Sequence, residues 1–170
     1  MALPPVAGAY PPWFTRSSVD QSALPQNGIA WRTERGTLGV WVPAPNVLVA
    51  SLTGHGEAAF TSPILAAHAS LAKTGLLHVF FDADILSNYD TALRTGLTQR
   101  FVADRKRFAG FHVLVQSRVV AMGVSVANLA MGNIVRATTE RGIFKAALDS
   151  CIYQNRIRGF SSDVLEAFVR

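Results

Sequence analysis

Short apolar runs alternate with segments of helical periodicity after residue 46, and this alternation limits the folds open to the chain. Residues 47–52 (VLVASL), 76–81 (LLHVFF) and 111–115 (FHVLV) are almost continuously apolar, which is typical of strands covered on both faces of a sheet. The segments between them carry apolar side chains at intervals of three and four, as amphipathic helices do. Because the connections are only a few residues long, this order predicts an α/β fold with a mixed β-sheet and right-handed crossovers.

The flanking segments extend this prediction. Strands are expected at 29–35 and 38–42, before the first apolar run, and at 134–138, after the last one. About four helices are expected, and residues that favour a first helical turn mark their starts: Ser62 with Pro63, Ser87 or Asn88, Ser117, and Thr139. The predicted order from residue 29 is therefore three strands followed by alternating helices and strands.

Composition divides the chain into three segments. Residues 1–28 hold five of the eight prolines and show no sustained periodicity, which predicts a flexible, proline-rich N-terminal arm. Its aromatic residues Tyr10, Trp13 and Phe14 either pack against the domain or anchor a partner. Residues 29–152 form the predicted domain, and residues 153–170 a C-terminal tail with a short amphipathic helix at 161–169.

Charge and cysteine content exclude several classes of protein. The net charge of +5 comes from a chain with only 16% charged residues, which argues against a dedicated nucleic-acid binder. The single cysteine, Cys151, excludes an intramolecular disulfide and any zinc site built from several cysteines. The longest uncharged run, 119–135, is short and polar for a membrane span, and no secretory signal is recognisable. We therefore expect a cytoplasmic protein, and the scarcity of lysine among the basic residues suggests a bacterial one.

Three stretches of the chain resemble a known family. They are residues 78–84 (HVFFDAD), 88–94 (NYDTALR) and 112–115 (HVLV), and they are similar to the STAS superfamily, more specifically to the SpoIIAA-like and SEC14-like STAS proteins of bacteria. The resemblance covers residues 29–152 and implies a STAS-like sheet in which a strand ends in aspartate and a helix follows. In STAS antagonists of anti-sigma factors, a serine or threonine at the start of that helix is phosphorylated. Thr91 is the nearest match here and Ser87 the second, although the glycine of the family's motif is missing.

Acidic residues cluster around the same strand end and helix start. Asp82, Asp84 and Asp90 lie beside Ser87 and Thr91 in sequence, and ligand sites in open α/β sheets lie beyond the strand ends. Two interpretations remain open: the carboxylates satisfy loop amides and the helix N-terminus, or the five residues form a partner-binding or regulatory site. Their spacing matches no metal-binding loop.

The predicted helix at 118–131 is apolar nearly all round. A helix on one face of a sheet normally keeps a polar outer stripe, yet almost no polar residue is available for one here. Either the helix is simply part of the core, or its outer side is covered by the C-terminal helix, a second copy or a partner protein. Met122, Val126 and Leu129 are the candidate interface residues.

No pattern in the sequence indicates catalysis. The four histidines occur singly, no metal-ligand spacing is present, and no nucleophile is paired with a base. We therefore expect a non-enzymatic module without metal or cofactor that binds another protein or a second copy of itself, with regulation at Thr91 or Ser87. The alternative is a carrier of a small apolar ligand or lipid, which the SEC14-like resemblance implies and which requires an enclosed apolar pocket.

Overall fold

The structure, a computed structural model, describes residues 19–170. Within this range the strands are Asp20–Leu24 (β1), Gly28–Arg32 (β2), Gly36–Ala44 (β3), Val47–Gly56 (β4), Leu77–Ala83 (β5), Leu86–Tyr89 (β6), Phe108–Val115 (β7) and Val135–Thr138 (β8). The α-helices are Thr61–Ser70 (α1), Thr91–Ala103 (α2), Arg118–Ala130 (α3), Arg141–Gln154 (α4) and Asp163–Val169 (α5). The α/β class predicted from the sequence is confirmed, with five α-helices in the described chain instead of about four.

All the strands belong to one mixed sheet in the order β1-β2-β3-β4-β5-β7-β8. Strands β1 to β4 form an antiparallel meander, and β4, β5, β7 and β8 are parallel neighbours. Strand β4 outruns β5, and its last residues pair with β6 instead. The sheet thus has an antiparallel half and a parallel half that meet at β4.

Helices cover both faces of the sheet and enclose two apolar cores. On one face, α1, α2 and α3 pack over alternate residues of β4 such as Leu48 and Ala50. On the other face, α4 and α5 pack over Val47 and Val49. Residues 47–52 are all buried, which confirms the inference that this apolar run is covered on both sides.

The helix start predicted at Ser87 or Asn88 is wrong. Residues 86–89 form β6, and α2 begins at Thr91 with Asp90 at the N-cap position. The cause is the free edge of β4 beyond its pairing with β5. Backbone bonds from the Gly54 N–H to the Ile85 carbonyl, 3.1 Å, and from the Asp90 N–H to the Gly56 carbonyl, 2.8 Å, hold the segment extended.

The other helix starts lie within one or two residues of their predicted positions, as is usual for helix ends. Ser117 caps α3 as predicted, since its hydroxyl accepts a bond from the Val120 N–H. Helix α4 has Glu140 at its N-cap instead of Thr139. Helix α1 begins at Thr61, one residue before Ser62, and it ends at Ser70.

Both terminal segments contribute more structure than the sequence suggested. Residues 20–24, assigned to the N-terminal arm, form edge strand β1 against β2, while Tyr10, Trp13 and Phe14 lie outside the described residues. The amphipathic helix expected at 161–169 is α5, and its Val164 and Leu165 are buried in the second core. The C-terminal segment therefore completes the cover on one face of the sheet.

Candidate functional site

The structure separates the predicted acidic cluster into two places. Asp82 and Asp84, at the end of β5, contact α4, whereas Asp90, Ser87 and Thr91 lie at the approach to α2. Because α4 and α2 cover opposite faces of the sheet, the five residues do not form one site.

Asp82 is fully buried, with an exposed fraction of 0%. Its carboxylate accepts hydrogen bonds from Arg141 at 3.0 and 3.2 Å, and the same guanidinium donates to Asp84 Oδ2 at 2.8 and 3.2 Å. Burial raises the pKa of Asp82, while the bonds from Arg141 oppose that rise. Asp82, Asp84 and Arg141 form a clamp between β5 and α4. Because its carboxylate is buried within this clamp, Asp82 has a structural role and does not present the carboxylate to a partner.

Asp90 joins the loop before α2 to the loop before α1. His55 Nε2 donates to its Oδ1 at 2.8 Å, and the Ala58 N–H donates to its Oδ2 at 2.8 Å. The hydrogen bond from His55, followed by the bond from Ala58, lowers the pKa of Asp90. Its carboxylate makes no capping bond to α2. Asp90 therefore secures a loop and leaves the first turn of α2 uncapped.

Ser87 and Thr91 differ in their availability for modification. The Ser87 hydroxyl donates to the Gly54 carbonyl at 2.8 Å, and the Ser87 carbonyl accepts from Ser117 Oγ at 3.0 Å. Thr91 is exposed at the first position of α2, and its hydroxyl makes no hydrogen bond with the rest of residues 19–170. Of the two, Thr91 has the free hydroxyl.

The outer face of α3 is an exposed apolar stripe, which we call the α3 stripe. It consists of Val119 (51% exposed), Met122 (71%), Val126 (54%) and Leu129 (71%). The last three are the candidate interface residues named from the sequence. Helix α5 packs on the other face of the sheet, so the prediction that the C-terminal helix could cover this stripe is wrong. No charged residue lies between 119 and 135.

The inner side of α3 closes an apolar cavity of about 130 Å³. The cavity is partly open and lies between α3, α2 and the sheet. Its lining is Leu52, Phe81, Ala83, Leu86, Tyr89, Leu93, Arg94, Leu97, Thr98, Phe101, Phe111, Val113, Val120, Gly123, Val124, Ala127, Met131 and Val135. No pattern in the sequence indicates where such a space lies, because it arises from the spacing of two helices above the sheet.

Small residues and one tyrosine shape the wall of this cavity. A Cβ atom on Gly123 would overlap the hydroxyl end of Tyr89, so only glycine lets α3 approach β6 this closely. The Tyr89 hydroxyl and the Arg94 guanidinium have no hydrogen-bonding or ionic partner in the described part of the chain. The Thr98 hydroxyl donates to the Arg94 carbonyl at 2.8 Å.

The histidines on β5 and β7 are half-buried. Burial lowers the pKa of His78 and of His112, and His112 stacks on Phe80 with ring centroids 5.0 Å apart. Among residues 19–170, histidine, cysteine and carboxylate side chains nowhere form a group of three that could hold a metal ion. None of the helices in this range has the length and apolar character needed to cross a membrane.

Comparison with known proteins finds similarity to a solved structure. No protein-family model and no curated protein matches the chain. Among solved structures, it is similar to an uncharacterized protein from the DUF3478 family with a SpoIIAA-like fold, from Shewanella loihica PV-4. The sequences are 13% identical, the match covers 81% of this chain and 98% of that one, and the TM-score is 0.46.

The clamp yields a prediction about stability. Replacing Arg141 by Met leaves Asp82 buried without its partner, which costs about 3–5 kcal/mol in free energy of unfolding at neutral pH. The bonds from Arg141 oppose the rise in the pKa of Asp82, so the pKa is higher still in the variant than in the parent. A raised folded-state pKa contributes stability at low pH that is lost as pH rises from the ordinary carboxyl range through the raised pKa, and the variant loses more of it than the parent. The loss in Arg141→Met should therefore be smaller at about pH 5 than at about pH 8, measured by urea unfolding.

The matched control is Arg141→Met combined with Asp82→Asn. The double variant lacks the titrating group, so the pH dependence of the loss should disappear. An equal loss at both pH values in the single variant would contradict this account of the clamp.

Proposed function

We propose that this chain is a non-catalytic, STAS-like interaction module that assembles through the α3 stripe with a second copy of itself, in the cytoplasm. The exposure of four large apolar side chains along one face of α3 carries the proposal. Exposed apolar patches of this kind mark interaction surfaces. Because the stripe has no charge, two copies can meet through the same residues without like-charge repulsion, as a two-fold contact requires.

The expected assembly is weak and reversible. Removing a partly exposed apolar side chain from water gains about 1 kcal/mol, so four from each copy gain about 8 kcal/mol in total. Association itself costs about 4–15 kcal/mol in lost freedom of motion. These opposing free energies are of similar size, and we expect a concentration-dependent equilibrium.

Thr91 is the proposed regulatory position. Its free hydroxyl could accept a phosphoryl group without breaking an existing hydrogen bond, and Arg94 follows it at the i+3 spacing that lets a phosphate and a guanidinium pair on one helix. Ser87 is less suited, because esterifying its hydroxyl would remove the bond to Gly54. Thr91 follows β6, whose Ser87 carbonyl accepts a hydrogen bond from Ser117 at the N-cap of α3, so this segment is linked to the helix that carries the stripe.

A second candidate function is the binding of a small apolar ligand, which the cavity beneath α3 supports. Its volume of about 130 Å³ is far smaller than a lipid pocket. It is close to the volume of engineered apolar cavities that bind benzene, about 150 Å³. This candidate is compatible with the first, because the two sites use opposite sides of α3.

Val126→Asp tests the assembly. Because Val126 is exposed in one copy, the variant should fold normally, but each contact would then contain two unpaired carboxylates. We expect self-association to weaken at least about tenfold, equivalent to about 1.4 kcal/mol, in sedimentation velocity over a range of concentrations. Ala146→Asp, which adds the same charge on exposed α4, is the control and should assemble like the parent. A folded Val126→Asp protein with unchanged association would rule out the stripe as the contact.

Thr91→Glu tests the regulatory position. The added negative charges repel across the two-fold contact, so we expect several-fold weaker association at low salt and a smaller effect at high salt. Thr91→Gln, which has a similar size and no charge, should behave like the parent protein. Equal association constants for all three proteins at low salt would exclude a charge switch at Thr91.

A further inference from the structure

The cavity beneath α3 has an apolar lining and an unpaired cation beside it. Apolar cavities of this size stay dry when they offer water too few polar partners, so an apolar group can enter without displacing bound water. A volume of about 130 Å³ accommodates about five or six non-hydrogen atoms, judged from engineered cavities of about 150 Å³ that hold benzene. Any occupant must therefore be small or insert only part of itself.

Arg94 supplies the cation. It lies on α2 among the lining residues and is half-buried, so its aliphatic stem borders the cavity while the guanidinium reaches toward water. The acidic residue one turn earlier, Asp90, is already held by His55 and the Ala58 N–H. No carboxylate in residues 19–170 forms an ion pair with Arg94, which distinguishes it from Arg35 and Arg141.

Two of the three polar groups around the cavity can donate to a ligand. The Arg94 guanidinium only donates, and the Tyr89 hydroxyl has no acceptor among residues 19–170. The Thr98 hydroxyl has given its proton to the Arg94 carbonyl and cannot donate a second one. A ligand that matches Arg94 and Tyr89 needs an acceptor group. A single guanidinium balances one negative charge and pairs with a carboxylate through two parallel bonds, whereas a doubly charged phosphate would leave one charge uncompensated.

We propose that the cavity binds a small amphipathic monocarboxylate, with its hydrocarbon part between α2 and α3 and its carboxylate paired with Arg94. This inference rests on the second candidate function, apolar ligand binding, and adds to it the chemical class of the ligand and the residue that selects it. The limited volume favours a free acid of about six or seven carbons over the acyl chain of a membrane lipid.

The test compares hexanoate with hexan-1-ol, its neutral analogue, by NMR titration of the full chain. Hexanoate should bind the parent protein more tightly than hexan-1-ol and should shift resonances of α2 and α3. Arg94→Gln should weaken hexanoate binding at least tenfold and leave hexan-1-ol binding within about twofold. Arg100→Gln, at an exposed site on the same helix, is the matched control and should change neither affinity.

The outcomes separate the inference from the function on which it rests. Binding of hexan-1-ol with no preference for hexanoate, or hexanoate binding unaffected by Arg94→Gln, would overturn the inference and leave apolar ligand binding standing. Failure of hexanoate and of hexan-1-ol to bind would overturn the inference and also the candidate function of apolar ligand binding. Ala127→Leu, which fills the cavity from α3, should abolish binding of both probes. If this variant unfolds, the comparison of the parent with Arg94→Gln still tests whether Arg94 selects the carboxylate.

A series of acids of increasing chain length distinguishes a short free acid from a long lipid chain as the source of the carboxylate. Affinity should rise from butanoate to heptanoate and gain little from there to dodecanoate, because the cavity is then full. A steep continued rise to dodecanoate would contradict the short-acid class and point to a long lipid chain instead.

Discussion

Burial of β4 on both faces is the constraint on which the rest of the structure depends. Residues 47–52 have almost no contact with water, so their side chains require a layer of helices above the sheet and another below it. The strand also joins the antiparallel meander to the parallel strands. Its last residues, which extend past β5, hold β6 and thereby set where α2 begins. The clamp of Asp82 on Arg141 fixes α4 against the same sheet.

The two layers are covered unequally, and the proposed functions follow from that difference. Helices α4 and α5 share one face, where α5 buries Val164 and Leu165. On the other face no helix of residues 19–170 lies outside α3, and Met122 and Leu129 are exposed within this part of the chain. Its inner side does not fill the space above the sheet, where the cavity lies between α3, α2 and the strands. One helix therefore presents an apolar stripe outward and closes an apolar cavity inward.

The sequence predicted the features that depend on local pattern and missed those that depend on tertiary contacts. Apolar runs located β4, β5 and β7, Ser117 correctly marked the start of α3, and the lack of a polar stripe on α3 drew attention to its outer face. Strand β6 was missed because only the free edge of β4 makes residues 86–89 extended. Strand β1 was missed because its side chains are mostly exposed and carry no apolar alternation. The spacing of Asp82 and Asp84 suggested a surface site, but their partner, Arg141, lies nearly sixty residues away in the chain.

The rate of oxidation of Met122 tests the central claim, that the α3 stripe is a contact between copies, most directly. Dilute peroxide converts an accessible methionine to its sulfoxide, and mass spectrometry follows each methionine separately. Met131, which is buried on the inner side of α3, supplies an internal reference that should react slowly at every protein concentration. If the stripe joins two copies, oxidation of Met122 should slow as the protein concentration rises, while the Met131 rate stays constant. A Met122 rate that is independent of concentration, through the range in which the protein is expected to assemble, would contradict the claim.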